Sequence, residues 1–416
     1  MTEEGPDSDR RSLESEVTGV PIGPWAGALG LTLLVGIFPQ FAIGALGPQL
    51  RVDLALEAAD LGLIFAGFIG LGLVGSPLAG PIADRIGGRR SCLGLLLVSG
   101  AALLVASFAT SMAGLVLALL PAGAAMAFAN PGTNRWASAA ADTRTQATLV
   151  GVAQAGVQAG ALLAGALAAA SVLGLDWRNA FRVGALLALC GAAAAWRGPR
   201  DVGSSAARPR PRTVTTASLG TAGGAGPGLS VDARRDLLAL ATYATFMGGG
   251  TALVFAYLPS FAVDAAGLSI AAAGATTMIF GGTALLCRLG LGAIIRRPDQ
   301  VGPPLLIAMA IGSAVSIGLI AAGAVSPAWI WVGAVAFGAT GTTWPVVAFL
   351  AVVRASPPGG AGRVTGWVTA AFYAGLLITP PIGGQVITAV GYRWLWVGAA
   401  SCYLLATLPV LRRPAA

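Results

Sequence analysis

Histidine and lysine are absent from the 416-residue chain, so all 25 of its basic residues are arginine. Without histidine there is no imidazole to serve as a general base or metal ligand near neutral pH. Cysteine is scarce. Cys92, Cys190, Cys287 and Cys402 each stand alone in or beside an apolar segment, with neither metal-site spacing nor the pattern of a disulfide framework. Charge is scarcer still: 10% of residues are charged, against about 25% in a soluble globular protein. No Asp or Glu falls in the middle of an apolar run, since Asp60 and Asp236 lie at run starts and the others in loops or tails. That pattern excludes the acid, base or metal groups a membrane-embedded enzyme needs at depth. It also excludes the buried carboxylates that usually mark proton relays. No cofactor and no metal is expected. The net charge of +8 does not indicate nucleic acid, because the arginines are scattered between apolar runs instead of forming one basic face.

Apolar sequence fills the space that charge leaves: 56% of the chain is hydrophobic. A helix needs about 20 apolar residues to cross a bilayer. Candidate spans lie near 25–47, 60–80, 91–109, 113–134, 147–170 and 180–196, and again near 236–259, 270–293, 303–323, 327–350, 366–388 and 392–411. The expected fold is an all-α membrane protein of twelve helices in two pseudo-symmetric six-helix bundles, residues 25–196 and 236–411. The stretch 197–235, with Arg-Pro-Arg-Pro-Arg at Arg208–Arg212, cannot bury apolar area and reads as a flexible cytoplasmic linker. Residues 1–24 are polar and acidic, unlike the basic start of a secretory signal. They are expected to form a disordered cytoplasmic tail, with 412–416 as a second tail.

Arginine placement gives the orientation. With the N-terminus inside, inner segments hold Arg85, Arg89, Arg90, Arg144, Arg296, Arg297, Arg354 and Arg363, while the outer side receives Arg51, Arg178, Arg182 and Arg393 with several acids. Basic loops stay in the cytoplasm, so both termini are expected there, in a multi-pass protein of the cytoplasmic membrane. The halves also look duplicated. Gly151 and Gly366, Gly160 and Gly375, and Arg178 and Arg393 are separated by one common offset, and Pro131 and Pro345 differ from it by one residue. Leu175–Phe181 answers to Gly391–Trp396 as an aromatic-Arg corner before the last span of each half. Paired repeats flanking a midplane site are a common plan for secondary transporters.

Between spans two and three stands Gly-Pro-Ile-Ala-Asp-Arg-Ile-Gly-Gly-Arg-Arg, Gly80 to Arg90. An ordinary basic loop explains its arginines but neither the lone Asp84 nor the glycine spacing. The segment resembles the loop motif of the major facilitator superfamily, with Gly80, Asp84, Arg85, Gly87 and Arg89 matching and Gly88 replacing a usual basic residue. The resemblance, supported along the whole chain by span count, central linker and repeat, implies an alternating-access transporter. It implies that Asp84 latches the bundles on the cytoplasmic side, against the start of span eleven near Val364 to Gly366. In the second half Arg296 replaces the Asp. The superfamily's proton antiporters carry an Arg in span four where this chain has Leu119. The segment 151–160, with Asn130 to Arg135, also resembles a cyanate-permease-like branch.

Span five has a reading of its own. At about 100° per residue, Gln154 and Gln158 share one face, while Gly156 and Gly160 lie opposite. The glycine face, like Gly366, Gly375, Gly383 and Gly384 of span eleven, suits helix packing. The glutamine face needs hydrogen-bond partners, from a wet cavity or from a neighbouring helix. Further cavity candidates are Gln40, Asn130, Tyr243, Trp344 and Tyr373. Together they describe a neutral, polar and aromatic pocket. Arg135 and Arg288, the charges nearest the membrane, either snorkel or attract an anion. The function expected is transport of a small solute, with the lipid bilayer as solvent and the monomer as working unit. Drug-type efflux and a transport-inactive sensor or scaffold of the same fold are the alternatives. The topology has a direct test: Ser204→Cys should resist labelling from outside intact cells and Ala266→Cys should accept it. The opposite result would invert the orientation.

Overall fold

The computed structural model describes residues 22–140, 142–199, 231–294, 302–345, 347–348 and 361–411. The N-terminal tail up to residue 21, most of the linker, Arg296, Arg297, Arg354 and the C-terminal tail lie outside the described residues. The first half contains α1 (Ile22–Ala45), α2 (Gly47–Asp53), α3 (Ala58–Ile86), α4 (Gly88–Ala106), α5 (Met112–Met126), α6 (Ala129–Ala137), α7 (Thr143–Ala169) and α8 (Trp177–Arg197). The second contains α9 (Val231–Asp264), α10 (Ile270–Ile294), α11 (Pro303–Ala322), α12 (Ala328–Thr340), α13 (Ala361–Val390) and α14 (Tyr392–Leu411). Among the described residues eleven spans, one of them joining α5 and α6, are long and apolar enough to cross a bilayer, and the shorter apolar α12 occupies the remaining place. Helices suit this setting because each satisfies its own backbone groups where no water can.

Several boundaries differ from those read in the sequence. Helix α3 runs six residues past the expected end, through Pro77 and Pro81, to Ile86. The span expected at 113–134 is broken: α5 stops at Met126, and α6 starts at Ala129 with Pro131 in its first turn. Proline is tolerated there because first-turn N–H groups have no partner within the helix. The span expected to reach 350 breaks at a turn after Thr340, and helix returns at residues 344–345 and 347–348.

Within the first half α7 and α8 pack on α1, and α4 packs on α5 and α8. Within the second half α13 and α14 pack on α9, and α12 packs on α10 and α11. The repeat is visible in detail. Gly160 of α7 faces Leu34 and Ile37 of α1, and Gly375 of α13 faces Thr245 and Gly249 of α9. At the far end, Trp177 Nε1 donates to Asp53 at 2.9 Å, and the Tyr392 hydroxyl donates to Asp264 at 2.7 Å. Each half thus ties the end of its first span to the start of its last.

The halves meet along three seams: α1 on α9, α3 on α13, and α7 on α10. Glycines allow backbone to approach backbone at each. A Cβ on Gly44 would collide with the Phe255 carbonyl, one on Gly62 with the Pro380 carbonyl, and one on Gly165 with the Met278 backbone. These contacts fall in the half of the molecule away from the starts of α1, α7 and α9, here called the far side. The Arg51–Asp264 ion pair joins the halves there too. Among the described residues, the glycine approaches, ring contacts and ion pairs that cross between halves all lie from mid-depth to the far side. Packing within the first half can be tested at Gly156, where a Cβ would collide with the Gly30 carbonyl, while Gly151 has nothing within 4 Å. Gly156→Leu should destabilise the purified protein by about 1–3 kcal/mol, and Gly151→Leu should leave its unfolding temperature unchanged. Equal effects would refute the assigned packing.

Candidate functional site

Each seam changes character along its length. On α7, Gln154, Gln158, Ala161, Gly165 and Ala168 recur at alternating four- and three-residue steps and so share one face. Opposite them on α10, Gly274, Met278, Gly281, Leu285 and Arg288 do the same. Toward the far side the two stripes touch: Gly274 faces Ala168, Gly165 faces Met278, and a Cβ on Gly281 would collide with Ala161 and the Leu162 backbone. Past Gly281 the stripes turn polar. The same holds from α1 into α2, where Gln40 and Gly44 of α1 precede Gly47 and Arg51 of α2, and on α13, where Tyr373 precedes Leu377, Pro380 and Gly384.

Aromatic rings cap this polar zone. Phe41 of α1 meets Phe255 of α9 edge-on at 4.8 Å; Phe255 stacks on Phe280 of α10 at 5.5 Å, and Phe280 meets Phe337 at 5.5 Å. Phe41 follows Gln40, and Phe280 precedes Gly281. The rings therefore lie where the close contact ends. Below them are buried polar atoms without partners. Gln40, 4% exposed, and Gln158, 2% exposed, each have an unpaired Oε1. Arg288 donates from Nη2 to the Thr342 carbonyl at 2.7 Å, and its Nε is buried and unpaired. Buried polar groups are normally satisfied, and each exception calls for an explanation.

The remaining residues singled out in the sequence divide. Gln154 donates to Asn130 Oδ1 at 2.9 Å, which brings Asn130 of α6 to the α7 stripe. Tyr373 is part-buried on the cross-half face of α13. Tyr243 and Trp344 are packed inside the second half. The Tyr243 hydroxyl donates to the Leu306 carbonyl at 2.9 Å, and Trp344 lies edge-on between Tyr243 and Phe372. The Tyr243 hydroxyl is thereby satisfied within the half, whereas the Trp344 Nε1 is buried without a partner, as are the Gln40 and Gln158 oxygens. Gly156 and Gly160 lie against α1, Gly375 against α9, Gly383 against Leu253 and Leu395, and Gly384 against Ala58 and Ala59 of α3. Gly366 is buried in the first turns of α13.

The Gly80–Arg90 motif is less a loop than two helix ends. Gly80, Asp84 and Arg85 lie in the last turns of α3, Gly87 turns the chain with φ +95°, and Arg89 opens α4. A side chain is strained at that φ, which accounts for Gly87. Gly88 has a different reason: a Cβ there would collide with the Trp136 backbone of α6. Close packing thus explains the departure from the superfamily motif. Arg89 donates from Nε to the Ala195 carbonyl at 2.9 Å and from Nη2 to the Trp196 carbonyl, with its guanidinium 5.4 Å from the Trp196 ring centroid. It caps the negative end of α8. Asp84 is exposed, 3.9 Å from Arg135 Nε at the end of α6. The side chains of 361–365, where its partner was expected, lie outside the description.

Sequence reasoning missed the aromatic cap and the Arg51–Asp264 pair. The four-three spacing of Gln40, Gly44, Gly47 and Arg51 carried the signal for the pair, since it continues the glycine face of α1 to Arg51 of α2. Nothing in the sequence marked Phe41, Phe255 and Phe280 among 14 phenylalanines.

Comparison with known proteins agrees with this architecture. The fold is similar to that of a D-xylose-proton symporter of known structure, with a TM-score of 0.72 over 94% of this chain and 97% of that one at 16% identity. In sequence the chain is 33% identical over 165 residues to a 3-(3-hydroxy-phenyl)propionate transporter of Escherichia coli (strain K12), covering 39% of this chain and 40% of that protein. It is 31% identical over 203 residues to a gallate transporter of Pseudomonas putida, covering 47% and 44%. The chain therefore matches less than half the length of these relatives. They are named for aromatic acids and not for cyanate, so the cyanate-permease-like branch is withdrawn; Gly156 and Gly160, which suggested it, serve packing on α1. The family model of the Major Facilitator Superfamily matches residues 28–369, most of the chain, and the chain belongs to that superfamily.

Proposed function

We propose that the chain is a secondary transporter of small aromatic carboxylates, working by alternating access. The observation that carries the reading is the polar zone between the halves: Gln40, Gln158 and Arg288 hold unpaired buried atoms beneath an aromatic cap. A ring suits the aromatic cap, and an anion suits the guanidinium. The relatives named for 3-(3-hydroxy-phenyl)propionate and gallate support that substrate class. Drug-type efflux of cations fits less well, since Arg288 would repel them. A transport-inactive scaffold would have no use for unpaired buried polar groups, which cost stability.

With both termini in the cytoplasm, as the arginine asymmetry indicates, the far side is the outside. The structure then corresponds to a carrier closed to the outside. The site lies within one chain, which supports the monomer as working unit. Continuing the register of Gly62 on Pro380 and Ala59 on Gly384 brings Asp84 level with the start of α13. When the inner ends approach, Asp84 would exchange Arg135 for the free N–H groups there. A charge at a helix N-terminus is worth about 0.3–2 kcal/mol, enough to bias a nearly balanced pair of states.

Proteoliposomes test both statements. Saturable counterflow of 3-(3-hydroxyphenyl)propionate or gallate is expected, and absence of flux for every aromatic acid tried would overturn the transport reading. Asp84→Asn should insert normally and transport more slowly. Wild-type rates in that variant would reduce Asp84 to an ordinary surface charge.

A further inference from the structure

We infer that Arg288 and Gln158 form a two-point subsite for hydroxylated aromatic acids, the guanidinium holding the carboxylate and the glutamine amide accepting from a ring hydroxyl. The inference rests on the aromatic-acid reading above and assigns residues to it.

Arg288 has five N–H donors; one bond is shown, from Nη2 to the Thr342 carbonyl, and Nε is buried without a partner. Among the described residues no carboxylate pairs with it, since the three ion pairs shown involve Arg51, Arg135 and Arg178. Arg288 is half-buried with its Nε fully so, and a charge withdrawn from water without a counter-ion is costly. An anionic ligand supplies the missing charge, and a carboxylate matches the planar guanidinium in two parallel bonds.

Ala161 and Gly281 are in contact. Moving from that contact toward the near side at ~1.5 Å per residue, Gln158 lies about 5 Å away on α7 and Arg288 about 10 Å away on α10. Helical side chains lean toward the N-terminus of their own helix. Helix α10 begins on the far side, so Arg288 leans up toward the aromatic cap. Helix α7 begins on the near side, so Gln158 leans down. The two side chains converge across the seam, with Phe41, Phe255 and Phe280 above them. Gln158 has an unpaired acceptor, which a hydroxyl can satisfy and a bare ring cannot. The alternative, that Arg288 only staples α10 to Thr342, leaves Nε and the charge unexplained.

The test measures affinities of the full-length purified protein for 3-(3-hydroxyphenyl)propionate, its amide, and 3-phenylpropionate. Wild type should prefer the acid to the amide, and the hydroxylated to the unhydroxylated acid, each by about tenfold or more. Arg288→Gln should abolish the acid-over-amide preference and keep the affinity for the amide. Gln158→Leu should keep that preference and bind both acids equally. A staple role would lower stability and leave both ratios unchanged, and that result overturns the subsite. If Arg288→Gln does not survive purification, Arg288→Lys decides: loss of the paired geometry should weaken the acid and spare the amide, and an unchanged ratio refutes the assignment. If wild type binds none of the three compounds, the aromatic-acid reading fails and the subsite with it. If it binds them while the variants keep wild-type ratios, the subsite alone fails.

Discussion

Close approach of backbones across the seam between α7 and α10 is the contact on which the rest of this molecule depends. In a bilayer, lipid chains are as apolar as leucine, so burying apolar side chains gives two helical bundles little reason to associate. Dispersion contacts and fit must do it. Gly165 against Met278 and Gly274 against Ala168, with the matching approaches of Gly44 to Phe255 and Gly62 to Pro380, supply that fit on the far side. Contacts of this kind are all-or-none, because a shift of an ångström or two forfeits most of the attraction. Contacts of this kind suit discrete closed and open arrangements, which the proposed alternating access requires.

The same stripes that close the molecule also place its polar groups. Continuing each glycine stripe toward the near side leads to Gln40 on α1, Gln158 on α7, Arg288 on α10 and Tyr373 on α13. Where the stripe is small, the halves touch; where it is polar, they face one another beneath the aromatic rings. The far-side charges follow the duplication. Asp53 and Asp264 each end the first span of a half and accept a bond from the aromatic residue that begins the last span, Trp177 or Tyr392. Arg51 breaks the symmetry by crossing to Asp264, and so makes a structural corner into a bond between halves.

The all-helical membrane fold and its apolar spans were legible because hydrophobic length is a local property. The opposed faces of span five were legible because helical periodicity is fixed. What escaped depended on partners far away in sequence. Tyr243 is a polar aromatic within a span, yet its hydroxyl is satisfied by a carbonyl on α11, a partner that no local pattern reveals. Gly88 departs from the motif because the Trp136 backbone, distant in sequence, leaves no room for a side chain. The extension of α3 to Ile86 through two prolines was hidden because proline normally ends a helix. Arg288 carried an ambiguous signal, since a terminal arginine can snorkel; its depth in the seam and its unpaired Nε are properties of the packed molecule.

The central claim is that the halves are closed on the far side by glycine contacts, and that ligand held in the polar zone below lets them exchange that closure for one on the near side. Spin labels at Ala55 and Ala265 report the far side, and labels at Ser138 and Leu238 the near side, as distance distributions in proteoliposomes. Without ligand, the account predicts a short far-side distance and a long near-side distance. A transported aromatic acid should populate a longer far-side distance together with a shorter near-side one. Distributions that stay fixed at both pairs while the protein is transporting would contradict the account.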